Sequence, residues 1–141
     1  MSWFFALIPD TANVAIWSMM IASVLPLLFA ILAKVLGGFG VADNSHPRDV
    51  VAKYTGRAAR ANAAQQNSYE SLPIFLASVI VAMLFFVPQV VINYLAVMYV
   101  MLRVIYGIAY IVNLPTLRSI IWAVWMAGCV VRLYVACKMA F

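Results

Sequence analysis

The sequence predicts an all-α integral membrane protein, a four-transmembrane-helix bundle whose second helix extends into the cytoplasm. Two observations carry this. Hydrophobic residues make up 67% of the 141-residue chain and charged residues only 9%, whereas a soluble domain is about half apolar and about a quarter charged. The apolar residues also form runs long enough to cross a bilayer, which takes roughly 20 residues as a helix. A soluble all-α core of this length has no means of hiding so much apolar surface. A membrane barrel is excluded by pattern: its strands alternate apolar and polar residues, and the run Ile74–Phe86 does not.

The first span is expected at residues 11–35. Thr11 to Ala33 holds no ionisable side chain, and Gly37-Gly38-Phe39-Gly40 then breaks the helix. Met1 to Asp10 carries no basic residue, so this span does not read as a signal peptide and is kept in the mature protein. In the connection 36–65, Asp43-Asn44-Ser45-His46-Pro47 is turn chemistry, and Pro47 suits the first turn of a helix. A helix is expected to start near Arg48, with an interruption at Tyr54-Thr55-Gly56, and to run into the second span at 66–87, kinked by Pro73. Ser71 to Leu102 is free of ionisable residues but too long for one span, and Pro88-Gln89 divides it. The third and fourth spans follow at 90–112 and 117–138, in a single membrane domain covering 1–141 without internal repeats.

The net charge of +5 is unevenly placed. Lys34, Arg48, Lys53, Arg57 and Arg60 flank or occupy the first connection, Arg118 follows the third, and Val87-Pro88-Gln89 is uncharged. The positive-inside rule therefore puts connections one and three in the cytoplasm and both termini outside. Beside a membrane, this basic surface reads as topology and attraction to anionic lipid rather than as a nucleic-acid site. Cys129 and Cys137 lie on one helix, too far apart for a disulfide, and read as buried structural thiols. His46 has no second ligand nearby, so no metal site is expected, and there is neither a phosphate-binding glycine loop nor a Ser/His/Asp set.

Ionisable groups within a span are costly and are functional candidates by default. Arg60, Asn67 and Glu70 share one helix face by their spacing. Arg103, Tyr106 and Tyr110 form a second stripe, with Arg103 well inside the third span, where it needs a partner; Glu70 is the expected one. Arg118 and Ser119 open the fourth span. Arg132 and Lys138, near its other end, are expected to snorkel toward headgroups. A small exporter would need an acidic residue central in a span, and Glu70 instead sits at a membrane edge.

These residues carry a resemblance. The run Arg60-Ala61-Asn62-Ala63-Ala64-Gln65-Gln66-Asn67-Ser68-Tyr69-Glu70-Ser71-Leu72-Pro73-Ile74-Phe75 resembles the signature of the MAPEG family, membrane-associated proteins in eicosanoid and glutathione metabolism, with its central Asn-x-x-Glu-x-x-Pro at Asn67, Glu70 and Pro73. Arg103-Val104-Ile105-Tyr106-Gly107-Ile108-Ala109-Tyr110, followed by Pro115-Thr116-Leu117-Arg118-Ser119, is similar to the family's second block. The resemblance covers most of the chain and points to a bacterial branch, hence an inner-membrane location.

The resemblance implies a homotrimer, with glutathione as co-substrate held between neighbouring subunits. Arg60, Asn67, Glu70, Arg103, Tyr106 and Tyr110 would contact it, and Arg118 with Ser119 would stabilise its thiolate. The implied activity is a transferase or peroxidase acting on lipophilic small molecules that arrive from membrane lipid. The alternative is a non-catalytic relative that binds lipid or another small anionic ligand. The sequence departs from the family at Ala63, where members usually carry arginine, at Gln66, where some carry another, and at Tyr106, where some carry histidine.

Overall fold

The computed structural model describes residues 8–140. The N-terminal residues before Ile8, expected outside the membrane, and Phe141 lie outside the described residues. Helix α1 (Ala12–Leu36) is followed by a 3-10 turn (Val41–Ser45) and the short α2 (Pro47–Ala52). Then come α3 (Gly56–Leu84), α4 (Gln89–Ile111) and α5 (Pro115–Met139). The four long helices α1, α3, α4 and α5 are each long and apolar enough to cross a bilayer. The protein is an all-α integral membrane protein.

Local chemistry sets the helix ends. Gly37 caps α1 by donating its N–H to the Ala33 carbonyl (2.9 Å), and Gly38 then takes φ +69°, the left-handed conformation that a residue without Cβ adopts at no steric cost. The chain breaks at Lys53-Tyr54-Thr55, so α2 and α3 are separate helices. Helix α3 therefore carries the extension beyond the bilayer by itself, from Gly56. It passes through Pro73 without interruption and ends at Leu84, a few residues before the expected end at 87. Phe86 (φ 55°) and Asn113 (φ 65°) turn the chain at the two short connections, and Pro115 supplies the fixed φ of a helix first turn.

Small residues make the packing possible. The buried face of α3 reads Ala58, Ala61, Ala64, Ser68, Ser71, Phe75, Ser78, Val79 and Ala82, at spacings of three and four apart from the adjacent Ser78 and Val79. Without water to drive apolar groups together, membrane helices associate through close backbone approach and interhelical hydrogen bonds, and small residues supply both. Helix α1 packs chiefly on α3, and α4 touches α1, α3 and α5. Phe75 stacks on Tyr99 (centroids 3.8 Å apart, 5° between planes), and the Tyr99 hydroxyl shares a 2.9 Å hydrogen bond with Ser71. Asn93 is fully buried and donates to the carbonyls of Pro9 (2.8 Å) and Thr11 (2.9 Å), while its own carbonyl accepts from Gln89 (2.8 Å). That amide ties the chain ahead of α1 to α4.

Two expectations about the fourth span are corrected. Arg132 does not snorkel: it is 0% exposed. Its Nε donates to Ser78 Oγ (3.0 Å), one Nη donates to Cys129 Sγ (3.2 Å), and the guanidinium lies 5.3 Å from the centre of the Phe75 ring. Its remaining Nη has no hydrogen-bond partner among the described residues. Side-chain direction decides this, since the same depth along a helix leads to a headgroup on one face and to the bundle interior on the other. Cys137 is exposed whereas Cys129 is buried, so only Cys129 is a core thiol.

Candidate functional site

Toward the end of the bundle that carries the first connection, a path of side chains runs across three helices. It begins at the exposed Glu70 on α3, whose Oε2 accepts from Asn67 Nδ2 at 3.3 Å. Asn67 Oδ1 in turn accepts from Arg103 Nη1 on α4 at 3.0 Å. The other Nη of Arg103 donates to Ser68 Oγ at 2.7 Å, and that hydroxyl donates a hydrogen bond to the Ala64 carbonyl at 2.7 Å. The Arg103 guanidinium sits 4.4 Å from the centre of the Tyr106 ring. Tyr106 meets Tyr110 edge to face (5.7 Å, 63°). Tyr110 receives the guanidinium of Arg118, from α5, 4.1 Å from its ring centre.

Helix periodicity builds this path. Asn67 with Glu70, and Arg103 with Tyr106, stand three residues apart; Tyr106 and Tyr110 stand four apart; each pair therefore shares a face of its helix. The tight turn after Asn113 brings α5 back so that its first turn delivers Arg118 to Tyr110. Gly107, between the two tyrosines, lets α1 come close: a Cβ there would fall inside the ring of Phe29. Leu25, Phe29 and Ala64 form a small apolar cluster against Tyr110, which backs the aromatic end of the path.

The expected pairing of Glu70 with Arg103 is corrected in one respect, because Asn67 stands between them. An amide suits that place, with its oxygen turned to the cation and its NH₂ to the carboxylate. Arg103 is only 1% exposed, so burying its charge rests on oriented dipoles, a hydroxyl and an aromatic face rather than on direct contact with an acid. Ser68 was not legible as a partner, because it stands among the polar residues Gln65, Gln66, Asn67 and Glu70 and nothing in the spacing sets it apart.

Arg60 and Ser119 stand beside the path. Arg60 Nε donates to the Ile111 carbonyl at 2.9 Å, satisfying one of the last carbonyls of α4. Ser119 is exposed and donates its hydroxyl to the Pro115 carbonyl one turn earlier (3.1 Å). Among the described residues no group of three or more His, Cys, Asp or Glu side chains is placed to hold a metal ion.

Chemically, the path offers an exposed carboxylate and amide at one end, a row of hydroxylated rings, and a half-buried guanidinium at the other. That pattern suits a small zwitterion with an ammonium at one end and an anionic group at the other. No curated protein sequence matches the chain. The sequence model of the MAPEG family matches residues 14–137, which includes every residue of the path and all four membrane helices but the first turn and last residues of the bundle. Membership carries a general function at the membrane in glutathione or eicosanoid metabolism. The chain, with its four membrane helices and its Glu70-to-Arg118 path, belongs to the MAPEG family.

Proposed function

We propose that the protein is a glutathione-dependent membrane transferase or peroxidase acting on lipophilic electrophiles, assembled as a homotrimer in a bacterial inner membrane with the first connection in the cytoplasm. The observation that carries this reading is the unbroken path from Glu70 through Asn67, Arg103, Tyr106 and Tyr110 to Arg118.

Glutathione carries one ammonium, two carboxylates and a thiol. Glu70 receives the ammonium, and Asn67, whose NH₂ donates to that carboxylate, contacts the tripeptide beside it. Arg103 turns its two Nη groups to Asn67 and Ser68 and is buried, with its Nε unpartnered among the described residues, so it acts as a positioning residue that fixes the amide. Arg60 keeps its two Nη groups for a carboxylate while its Nε holds the Ile111 carbonyl. Tyr110, half-buried, lines the body of the tripeptide, with the buried Tyr106 packed behind it.

Arg118 stabilises the thiolate. A free thiol ionises near pH 8.5, and an adjacent guanidinium favours the anion, so more of it is present at neutral pH. Ser119 adds a hydrogen bond when its hydroxyl turns from Pro115. The thiolate sulfur then attacks an electrophilic carbon, forming a C–S bond as the leaving group departs with its electron pair. The apolar electrophile arrives laterally from the bilayer.

The second reading, a non-catalytic member that binds lipid or another small anion, is favoured by Ala63 and Gln66 at positions where family members carry arginine. Titration of the detergent-purified protein with glutathione, followed by thiolate absorbance in the ultraviolet, separates the two. Saturable binding at millimolar glutathione, with thiolate absorbance lost in Arg118→Ala and retained in Lys53→Ala, supports the first. No saturable binding leaves the second. Native mass measurement tests the trimer, and a stable monomer removes any site between subunits.

A further inference from the structure

The path from Glu70 to Arg118 closes on itself through α5. The Arg103 guanidinium carbon lies 5.8 Å from the centre of the Trp125 ring, inside the range of a cation–π contact. Trp125 meets Trp122 edge to face (6.1 Å, 80°). Trp122 stands four residues after Arg118, on the same face of α5. Arg103 is thus reached from Arg118 by two routes, one over Tyr110 and Tyr106 and one along α5 over Trp122 and Trp125.

The route along α5 decides where the guanidinium rests. Both Nη groups of Arg103 turn to α3, to Asn67 and Ser68. Arg103 Nε and Trp125 Nε1 are buried and have no hydrogen-bond partner among the described residues. The indole therefore holds the guanidinium with its ring and its bulk, not with a hydrogen bond. Tyr106 also lies against Arg103, but it belongs to the same helix and moves with it. Trp125 comes from another helix and is itself fixed. Tyr99 meets it edge to face (5.6 Å, 88°), and Tyr99 is stacked on Phe75 and hydrogen-bonded to Ser71 of α3. A smaller side chain at this position leaves space beside the guanidinium, and a packed interior relaxes only partly around such a space. A guanidinium that tilts into it leaves Asn67 Oδ1. The Asn67 amide is oriented by Arg103 at one end and by Glu70 at the other, so a freed amide turns and the carboxylate loses its donor.

We propose that Trp125 is a positioning residue for the ammonium end of the site: it presses the Arg103 guanidinium onto Asn67, and Asn67 holds the Glu70 carboxylate where the amino group of glutathione arrives. This rests on the reading of the path as a glutathione site. Its mark is selectivity. Trp125 is only 2% exposed and touches no ligand, yet its loss weakens a ligand that carries the amino group and spares one that lacks it.

The test uses the full chain in detergent and two ligands, glutathione and its desamino analogue, in which hydrogen replaces the amino group. The parent is expected to bind glutathione more tightly than the analogue. Trp125→Leu reduces that preference roughly two- to tenfold, the worth of a modest cation–π contact, and binds the analogue as the parent does. Trp125→Phe, which keeps a ring, keeps most of the preference. Asn67→Ala loses it, and adding Trp125→Leu to Asn67→Ala costs no more. Equal weakening of both ligands in Trp125→Leu is a packing effect and overturns the proposal, as does an unchanged preference or a parent that binds the two ligands alike. A second measurement needs no ligand. Denaturation of Asn67→Ala, Trp125→Leu and the double variant should show a coupling of at least about twofold in the unfolding constant, carried by Arg103; additive effects overturn the positioning role. A parent that binds no glutathione overturns the glutathione reading and the selectivity with it, and the denaturation cycle then decides on its own whether Trp125 positions Asn67.

Discussion

The ring of Phe29 on α1 occupies the space that a side chain on Gly107 of α4 would need. Gly107 follows Tyr106 on α4, three residues before Tyr110, so this contact sets how closely α1 approaches the helix that carries the aromatic part of the path. Gly107→Ala is expected to lower stability in detergent by about 1–3 kcal/mol, the usual cost of overpacking. Phe29→Leu in the same chain should recover part of it. Thermal unfolding of the two variants measures both effects, and a silent Gly107→Ala would show that the helices separate freely there.

Asn67 and Glu70 make opposite predictions about which group supports the buried Arg103. Asn67→Ala removes the direct acceptor of a charged donor and is expected to cost about 1.5–3 kcal/mol. Glu70→Ala should cost less, because its contact with Arg103 passes through Asn67 and the carboxylate is exposed. Chemical or thermal denaturation ranks the two. The reverse order would make Glu70 the true counter-charge.

Arg132 invites a test in which removing a charge does no harm. Its guanidinium is fully buried, with one Nη unpartnered among the described residues. Replacing a buried charge by a well-packed apolar side chain is often neutral or stabilising, whereas deleting one partner leaves the charge stranded. Arg132→Met should therefore match or exceed the parent in melting temperature. Ser78→Ala, which removes the acceptor at 3.0 Å, should lose about 1.5–3 kcal/mol. A snorkelling arginine would leave Ser78→Ala without effect.

Tyr110 holds Arg118 by its ring face, not by its hydroxyl. Tyr110→Phe should preserve the glutathione thiolate signal. Tyr110→Leu loses a cation–π contact worth about 0.5–2 kcal/mol, so thiolate formation should fall roughly 2- to 30-fold. Absorbance titration of both variants reads this, and equal loss in the two would assign the role to the hydroxyl.

The four membrane helices were legible because apolar length is a property of each segment alone. Gly37-Gly38, Pro88 and Pro115 act locally on the helix ends, whereas the start of α3 at Gly56 lies well ahead of the expected span at 66–87. The stripes Asn67–Glu70 and Arg103–Tyr106–Tyr110 were legible for the same reason, being spacings on single helices. What connects the stripes was not. That Asn67 stands between Glu70 and Arg103, or that Arg118 lies on Tyr110, depends on how three helices are rotated against one another. Arg132 shows the limit most sharply: its depth in the span was visible, but Ser78, the acceptor that fixes its direction, lies 54 residues away.

The buried amide of Asn93 has a consequence for how the protein is made. It holds the carbonyls of Pro9 and Thr11, which precede it by 84 and 82 residues. At about 5–20 residues per second, a ribosome takes roughly 4–16 s to travel that distance. During that interval α1 has left the ribosome and has nothing to dock its leading end against. The segment ahead of α1 is thus closed onto the bundle only after Asn93 has been synthesised, although the body of α1 packs chiefly on the earlier α3.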